Sequence, residues 1–272
     1  MAAGIASGDE EARGELVEIA RSLGAHLERL KGSGATGLER AARVARPEVA
    51  VASRGQGVAA RGPAPAPLAE AAAPAVPLDP AARAARLEVL RTEVAACTRC
   101  LLHAGRTQTV FSRGTGSSGV FFVGEGPGED EDRQGLPFVG KAGQLLDKMI
   151  AAMGIGRDEV WVGNVVKCRP PGNRKPEPDE MAACKPYLVE QLGLLEPKVI
   201  VALGATAVQG LLGVTMGITR IRGQWRLWQG KVPVMPTFHP AYLLRNPAAK
   251  REVWDDLQAV LKQLGREVPA RR

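Results

Sequence analysis

Apolar and polar positions in the C-terminal two-thirds of the chain follow two periods, and the points where one gives way to the other mark the elements. Continuous apolar runs occupy 119–124 (GVFFVG), 160–166 (VWVGNVV), 198–204 (KVIVALG) and 232–238 (VPVMPTF). Short runs rich in Val, Ile and Phe predict strands, and their lack of alternation predicts burial on both faces. Between them, apolar residues recur at helical spacing over 142–154, 179–195, 205–213 and 249–265, and a further helix over 82–96 comes first. A short β segment is expected around 224–229. Strands alternating with helices predict an α/β fold: a three-layer α/β/α sandwich around a mainly parallel four-stranded sheet.

The N-terminal third reads differently. Leu16, Ile19, Leu23, Leu27 and Leu30 form a helical stripe within residues 1–31, so an amphipathic helix is expected there, with one face open to the rest of the molecule or to a partner. Residues 32–80 are dominated by Gly, Ala, Pro and Arg, with prolines at 47, 63, 65, 67, 74, 77 and 80. So few large apolar side chains cannot offset the entropy of ordering, and a flexible linker is expected. Residues 81–272 would then form the one folded α/β domain.

Charge narrows the partners. The formal net charge is +7, with arginine well in excess of lysine. Guanidinium groups suit bidentate phosphate contacts, which points towards nucleic acid, although Arg- and Ala-rich composition has a genomic explanation too. No stretch approaches the roughly 18 apolar residues of a membrane span, and Asp9, Glu10 and Glu11 sit where a signal peptide would be apolar. A soluble, cytoplasmic protein in a reducing compartment is expected, so the cysteines are not read as disulfides.

There are four cysteines: Cys97 and Cys100 as a CxxC pair, then Cys168 and Cys184 singly. Arg or Lys adjoins three of the four. A full set of thiolates implies one metal centre closed by the fold. Structural zinc with four thiolates usually takes two CxxC knuckles. The spacing here suits an iron–sulfur cluster better, with zinc as the alternative.

In open parallel sheets, ligands bind beyond the carboxyl ends of the strands. That rule gathers GEGPG (124–128), the Asn164–Cys168 segment, GATA (204–207) and the turn Phe238–Pro240 into one crevice. GEGPG is neither a GxGxxG fingerprint nor a P-loop, and the acids after it would repel phosphate. Small residues there let backbone approach a planar ligand. Asn164 can present a donor and an acceptor to one ring edge, and Phe138 can stack on a ring, with ordinary core packing as the alternative for Phe138. His239 lies on the turn after the last core strand, where a lone histidine can also be merely structural.

These segments carry a resemblance. GEGPGEDED, GLPFVGKAG, GNVVKCRPPGNRKPEPDE, LGATAVQGLLG, TRIRG and TFHPAYLLRNP, with the four cysteines, resemble family 4 uracil-DNA glycosylases over roughly residues 86–265. The resemblance implies a monofunctional enzyme that hydrolyses the glycosidic bond of deoxyuridine in DNA, leaving an abasic site for base-excision repair. It implies a structural 4Fe–4S cluster on Cys97, Cys100, Cys168 and Cys184. It implies a uracil pocket from Gly124, Glu125, Gly126, Phe138, Asn164 and His239, with His239 catalytic and Glu125 or Glu131 positioning water. Tyr242, Leu243, Leu244 and Arg245 would enter the minor groove. Expected partners are uracil-containing DNA, single- or double-stranded, and a repair or replication protein at the N-terminal helix; no membrane is involved, and the protein is expected to be a monomer. Two rivals are a non-catalytic DNA-binding module on the same fold and an electron-transfer protein, the latter disfavoured by the lack of any flavin or second cluster motif.

Overall fold

A computed structural model describes residues 79–269. The expected N-terminal helix (1–31) and nearly all of the expected linker (32–80) lie outside the described residues. Strands β1 (Ser112–Arg113), β2 (Val120–Gly124), β3 (Trp161–Asn164), β4 (Val199–Leu203), β5 (Arg226–Trp228) and β6 (Val232–Thr237) form one sheet in the order β1-β3-β2-β4-β6-β5. The middle four are mutually parallel, and β1 and β5 run antiparallel at the two edges. The sheet therefore has six strands rather than the four expected. Strand β1, two residues long, is too short to carry a period, and β5 is the short β segment expected at 224–229, here joined to the sheet as its other edge.

The helices are α1 (Pro80–Ala95), α2 (Glu129–Gln134), α3 (Lys141–Ala152), α4 (Pro178–Leu195), α5 (Ala205–Leu212), α6 (Ile218–Ile221), α7 (Pro240–Arg245) and α8 (Lys250–Gln263). Every residue of β2 and β4 is buried, as an apolar run predicts when helices cover both faces. Successive strand residues point to opposite sides. Phe121, Val123, Ile200 and Ala202 join Leu90 of α1 and Leu188 of α4 in one core. Val120, Phe122, Val201 and Met235 join Ile150 of α3 and Leu257 of α8 in the other.

Local chemistry sets the helix starts. The Asp79 carboxylate accepts the Ala82 N–H at 2.8 Å, with Pro80 in the first turn, so α1 begins two residues before the expected position. Helix α4 starts at Pro178 with the Glu180 carboxylate reaching back to the Glu177 N–H at 2.7 Å. Helix α2 was not expected. Its four acids fill the first turn, where the helix dipole favours negative charge. They are engaged rather than solvated: Asp132 accepts the Thr107 N–H through both oxygens at 3.0 Å, and Asp130 pairs with Arg133 at 2.6 Å.

Parallel registry brings the strand ends level. Gly124 lies beside Asn164, and Leu203 beside Thr237. The pairing of β2 with β3 runs on past the strands, with Val165 N–H donating to Gly124 C=O and Val166 N–H to Glu125 C=O. The loops after β2, β3 and β6 are thereby held to one edge of the sheet.

Candidate active site and thiol-lined cavity

At that edge Gly124, Phe138 and Asn164 come into contact. A Cβ added at Gly124 would lie 2.5 Å from both Asn164 Oδ1 and the Phe138 ring edge. Only glycine lets the amide and the ring approach the strand end this closely. The Phe138 ring centroid lies 5.7 Å from that of His239, with the planes 32° apart. Phe138, Asn164 and His239, far apart in sequence, therefore share one site.

Two features there go against local preference. Phe138 has φ of +56°, a left-handed conformation costly for an aromatic residue and found mostly where surroundings impose it. Helix α3 contributes to imposing it: a side chain at Gly143 would overlap the Phe138 carbonyl. Asn164 is 1% exposed, yet its Oδ1 has no hydrogen-bond partner. A buried acceptor left unpaired costs about 1–3 kcal/mol, and a ligand N–H would satisfy it.

His239 caps α7. Its Nδ1 accepts the Ala241 N–H at 3.1 Å, so in the neutral ring the proton resides on Nε2. Burial, and then the nearby Arg245 guanidinium, lower its pKa to about 4. At neutral pH this histidine is an uncharged Nε2–H donor in a fixed tautomer.

The two candidate carboxylates differ sharply. Glu131 accepts three backbone N–H groups: Val139 and Gly140 at 2.9 Å on Oε1, and Gly128 at 3.1 Å on Oε2. It ties the loop after β2 to the turn that carries Phe138. Glu125 is partly exposed, and among the described residues nothing donates to its carboxylate. Gly126 lies against Val166, whose methyl group would be 2.7 Å from an added Cβ.

Helix α7 presents Tyr242 and Leu244 to solvent at 36% and 47% exposure, and Arg245 is exposed beside them. Leu243, grouped with them in the sequence, is 1% exposed and joins the core beside α3 and α8. That corrects its expected place in a DNA-contacting face. Helical rotation turns the middle residue of the three inward.

Next to the Asn164–Cys168 stretch, the four cysteines line one small cavity. Cys97 and Cys100 follow α1, Cys168 follows β3 and Cys184 lies on α4. Three N–H groups point at the sulfurs: Arg106 to Cys168 at 3.2 Å, Lys167 to Cys184 at 3.3 Å and Arg99 to Cys97 at 3.5 Å. Burial first, and then the neighbouring thiols, raise Cys100 and Cys168 and push Cys184 up to about 12. Such thiols give up their protons readily only to a metal. Among the described residues no three His, Cys, Asp or Glu side chains converge closely enough for a single ion. A lone tetrahedral zinc would need its sulfurs within about 3.8 Å of one another. Sulfurs ranged around a cavity fit a polynuclear cluster better.

Sequence reasoning missed several residues here. Lys167 is 1% exposed and Gln191 fully buried between the cavity and β3. Thr237 donates to Asp256 at 2.6 Å, and Arg222 grips the same carboxylate while lying over the Phe238 ring, securing the strand that ends in His239. The TRIRG motif was the one available signal for that network.

A family model described as Uracil DNA glycosylase superfamily matches residues 111–258. A Type-4 uracil-DNA glycosylase of Thermotoga maritima is 47% identical over 175 residues, covering 63% of this chain and 91% of that protein. One from Sulfurisphaera tokodaii is 43% identical over 183 residues (64% and 83%), and one from Archaeoglobus fulgidus 39% over 190 residues (67% and 96%).

Proposed function

The chain belongs to the uracil DNA glycosylase superfamily, and on that premise we propose that it removes uracil from DNA by hydrolysing the N-glycosidic bond of deoxyuridine. The product is an abasic site, which opens base-excision repair. The observation that carries the reading is the meeting of the Phe138 ring, the unpaired Asn164 Oδ1 and the neutral His239 donor at one strand edge.

A base inside a duplex is out of reach, so the nucleotide must leave the stack, at a cost of a few kcal/mol. Stacking on Phe138 offsets part of that cost. Asn164 accepts from the uracil N3–H and donates to the neighbouring carbonyl, a pairing that cytosine, with no hydrogen on N3, cannot reproduce. As the glycosidic bond breaks, the departing base becomes anionic and the sugar cationic. The His239 Nε2–H donates to the base oxygen that gains charge, so its bond strengthens towards the transition state. It needs no proton transfer to do so, which is why a neutral imidazole serves.

Glu125 is assigned the water and the sugar cation, because its carboxylate is free; Glu131, fully engaged by backbone, holds the pocket together. Tyr242, Leu244 and Arg245 face the DNA, the apolar pair filling the space left by the extruded nucleotide. Cys97, Cys100, Cys168 and Cys184 each supply one ligand to a 4Fe–4S cluster. When bound, the cluster cross-links the end of α1, the end of β3 and α4 and takes no part in bond cleavage. Among the described residues no helix is long and apolar enough to cross a membrane.

Incubating the purified protein with an oligonucleotide bearing one uracil should release free uracil and leave an alkali-labile strand. An intact strand would sink the reading. The same sample should contain about four iron atoms per chain; zinc in their place would leave the glycosylase reading standing and remove the cluster.

A further inference from the structure

Lys167 is among the largest fully buried side chains, and all three of its ammonium protons are committed. Nζ donates to Gln191 Oε1 at 2.7 Å, to the Asn164 carbonyl at 3.0 Å and to the Phe111 carbonyl at 3.3 Å. Each acceptor is neutral, and among the described residues no carboxylate pairs with this cation. Burying a charge against dipoles alone is costly, and a Met or Leu would fill the same space without that cost. The backbone of Lys167 is equally occupied. Its N–H donates to Cys184 Sγ at 3.3 Å, and its carbonyl accepts from Val110 N–H at 2.8 Å. One residue thus touches the lead-in to β1, the end of β3, helix α4 and a thiol of the cavity.

The bond to Asn164 is the informative one. Lys167 clamps the carbonyl three residues behind it, while Asn164 keeps an unpaired, buried Oδ1 at the pocket. The direction of that amide follows from the Asn164 backbone, and the ammonium holds this backbone through its carbonyl. We propose that Lys167 is a positioning residue: it aims the base-reading amide of Asn164 and couples its placement to the cysteine-lined cavity. The inference deepens the glycosylase reading and rests on it. Lys167 touches no substrate; it acts through Asn164.

The test is a double-mutant cycle on the holoenzyme, read by single-turnover uracil release, duplex binding, melting temperature and iron per chain. Misplacing a reacting group by about 1 Å can lose 10²-fold. Lys167→Met should therefore slow excision roughly 10- to 100-fold, with duplex affinity and iron per chain unchanged. In an Asn164→Ala background the same change should cost less than about twofold, because the residue acts through an amide no longer present.

Lys167→Met leaves Gln191 Oε1 and the Asn164 and Phe111 carbonyls without their donor, and adding Gln191→Leu removes one of these unpaired groups. The double variant should therefore melt above Lys167→Met while its rate stays as low. Recovery of the rate together with stability would overturn the proposal, as would fully multiplicative losses with Asn164→Ala or loss of iron in Lys167→Met. Should Lys167→Met fail to fold, Gln191→Leu alone, which removes one acceptor from an intact lysine, must show the same non-additivity with Asn164→Ala. Wild-type activity in Asn164→Ala would instead sink the underlying reading of the pocket, a distinguishable result.

Discussion

The base pocket and the thiol cavity lie on opposite sides of one short stretch, Asn164 to Cys168, and are built on contrary lines. In the pocket, groups are held ready and left unsatisfied: an unpaired amide oxygen, an aromatic residue at φ +56° and a histidine with one nitrogen bonded and the other free. In the cavity, the surroundings already supply what a bound group will need, with three N–H donors directed at sulfur. A site that must bind and release a base every cycle cannot be fully satisfied without it. A site that holds a permanent group gains by being completed around it.

The sharpest way to break this contrast is to disable one side and read both. His239→Ala removes the donor proposed above to act on the departing base. Loss of one such donor typically costs about 2.7–4 kcal/mol, or 10² to 10³ in rate. Single-turnover excision should fall by that factor, while duplex binding and iron per chain stay at wild-type values. A parallel loss of iron would show that the two sites are not separable in the way their construction implies.

A smaller effect separates the carboxylates. Glu131→Gln keeps the shape but puts an NH2 group against N–H donors that now have a carboxylate oxygen. Leaving a buried donor unpaired costs about 1–3 kcal/mol, and each kcal/mol lowers the melting temperature of a domain this size by about 2–4 °C. Glu131→Gln should thus lower the melting temperature and slow excision together, since it loosens the turn carrying Phe138. Glu125→Gln should slow excision roughly tenfold or more without moving the melting temperature. Thermal melts and rates on the two variants decide the assignment; a rate loss without destabilisation in Glu131→Gln would reverse it.

How much of this was legible in the sequence follows the same division. The four parallel strands were readable because burial on both faces leaves an uninterrupted apolar run. The strand-end rule then placed Gly124, Asn164 and the turn before His239 together without any motif. Edge strand β1 was not readable, because two residues carry no period; β5 was legible as a short β segment, but three residues did not show that it joins the sheet. Leu243 looked like its neighbours because only the rotation of a short helix distinguishes it. The acids at 129–132 read as a charged tail, since nothing local reveals that Glu131 and Asp132 accept backbone N–H groups from elsewhere in the chain. Lys167 was hidden most completely. A lysine after an apolar strand looks like the return to solvent, and its burial depends on acceptors as distant as Phe111 and Gln191.

The smallest effect, and the finest probe of the pocket, is the dependence on pH. His239 has a pKa of about 4 in the folded protein, lowered by burial and then by Arg245, against about 6.5 in an unfolded chain. Above about pH 6.5 the ring is neutral in both states and its contribution to stability is fully present. As the pH falls from there towards 4, the unfolded chain binds a proton that the folded one refuses, so unfolding becomes progressively easier. Wild-type melting temperature should therefore drop on the acid side of 6.5 more than that of His239→Asn, which has no proton to take up there. The difference between the two proteins should change by a few degrees between pH 7 and 5 and be flat from 7 to 9. Catalysis should behave differently over the same range. Because the neutral ring is the donor, the wild-type excision rate should show no inflection near 6.5 that disappears in the variant. A rate that rises on acidification with a midpoint near 6.5 would mean that the imidazolium is the working form, and the Ala241 N–H could not then be bonded to Nδ1.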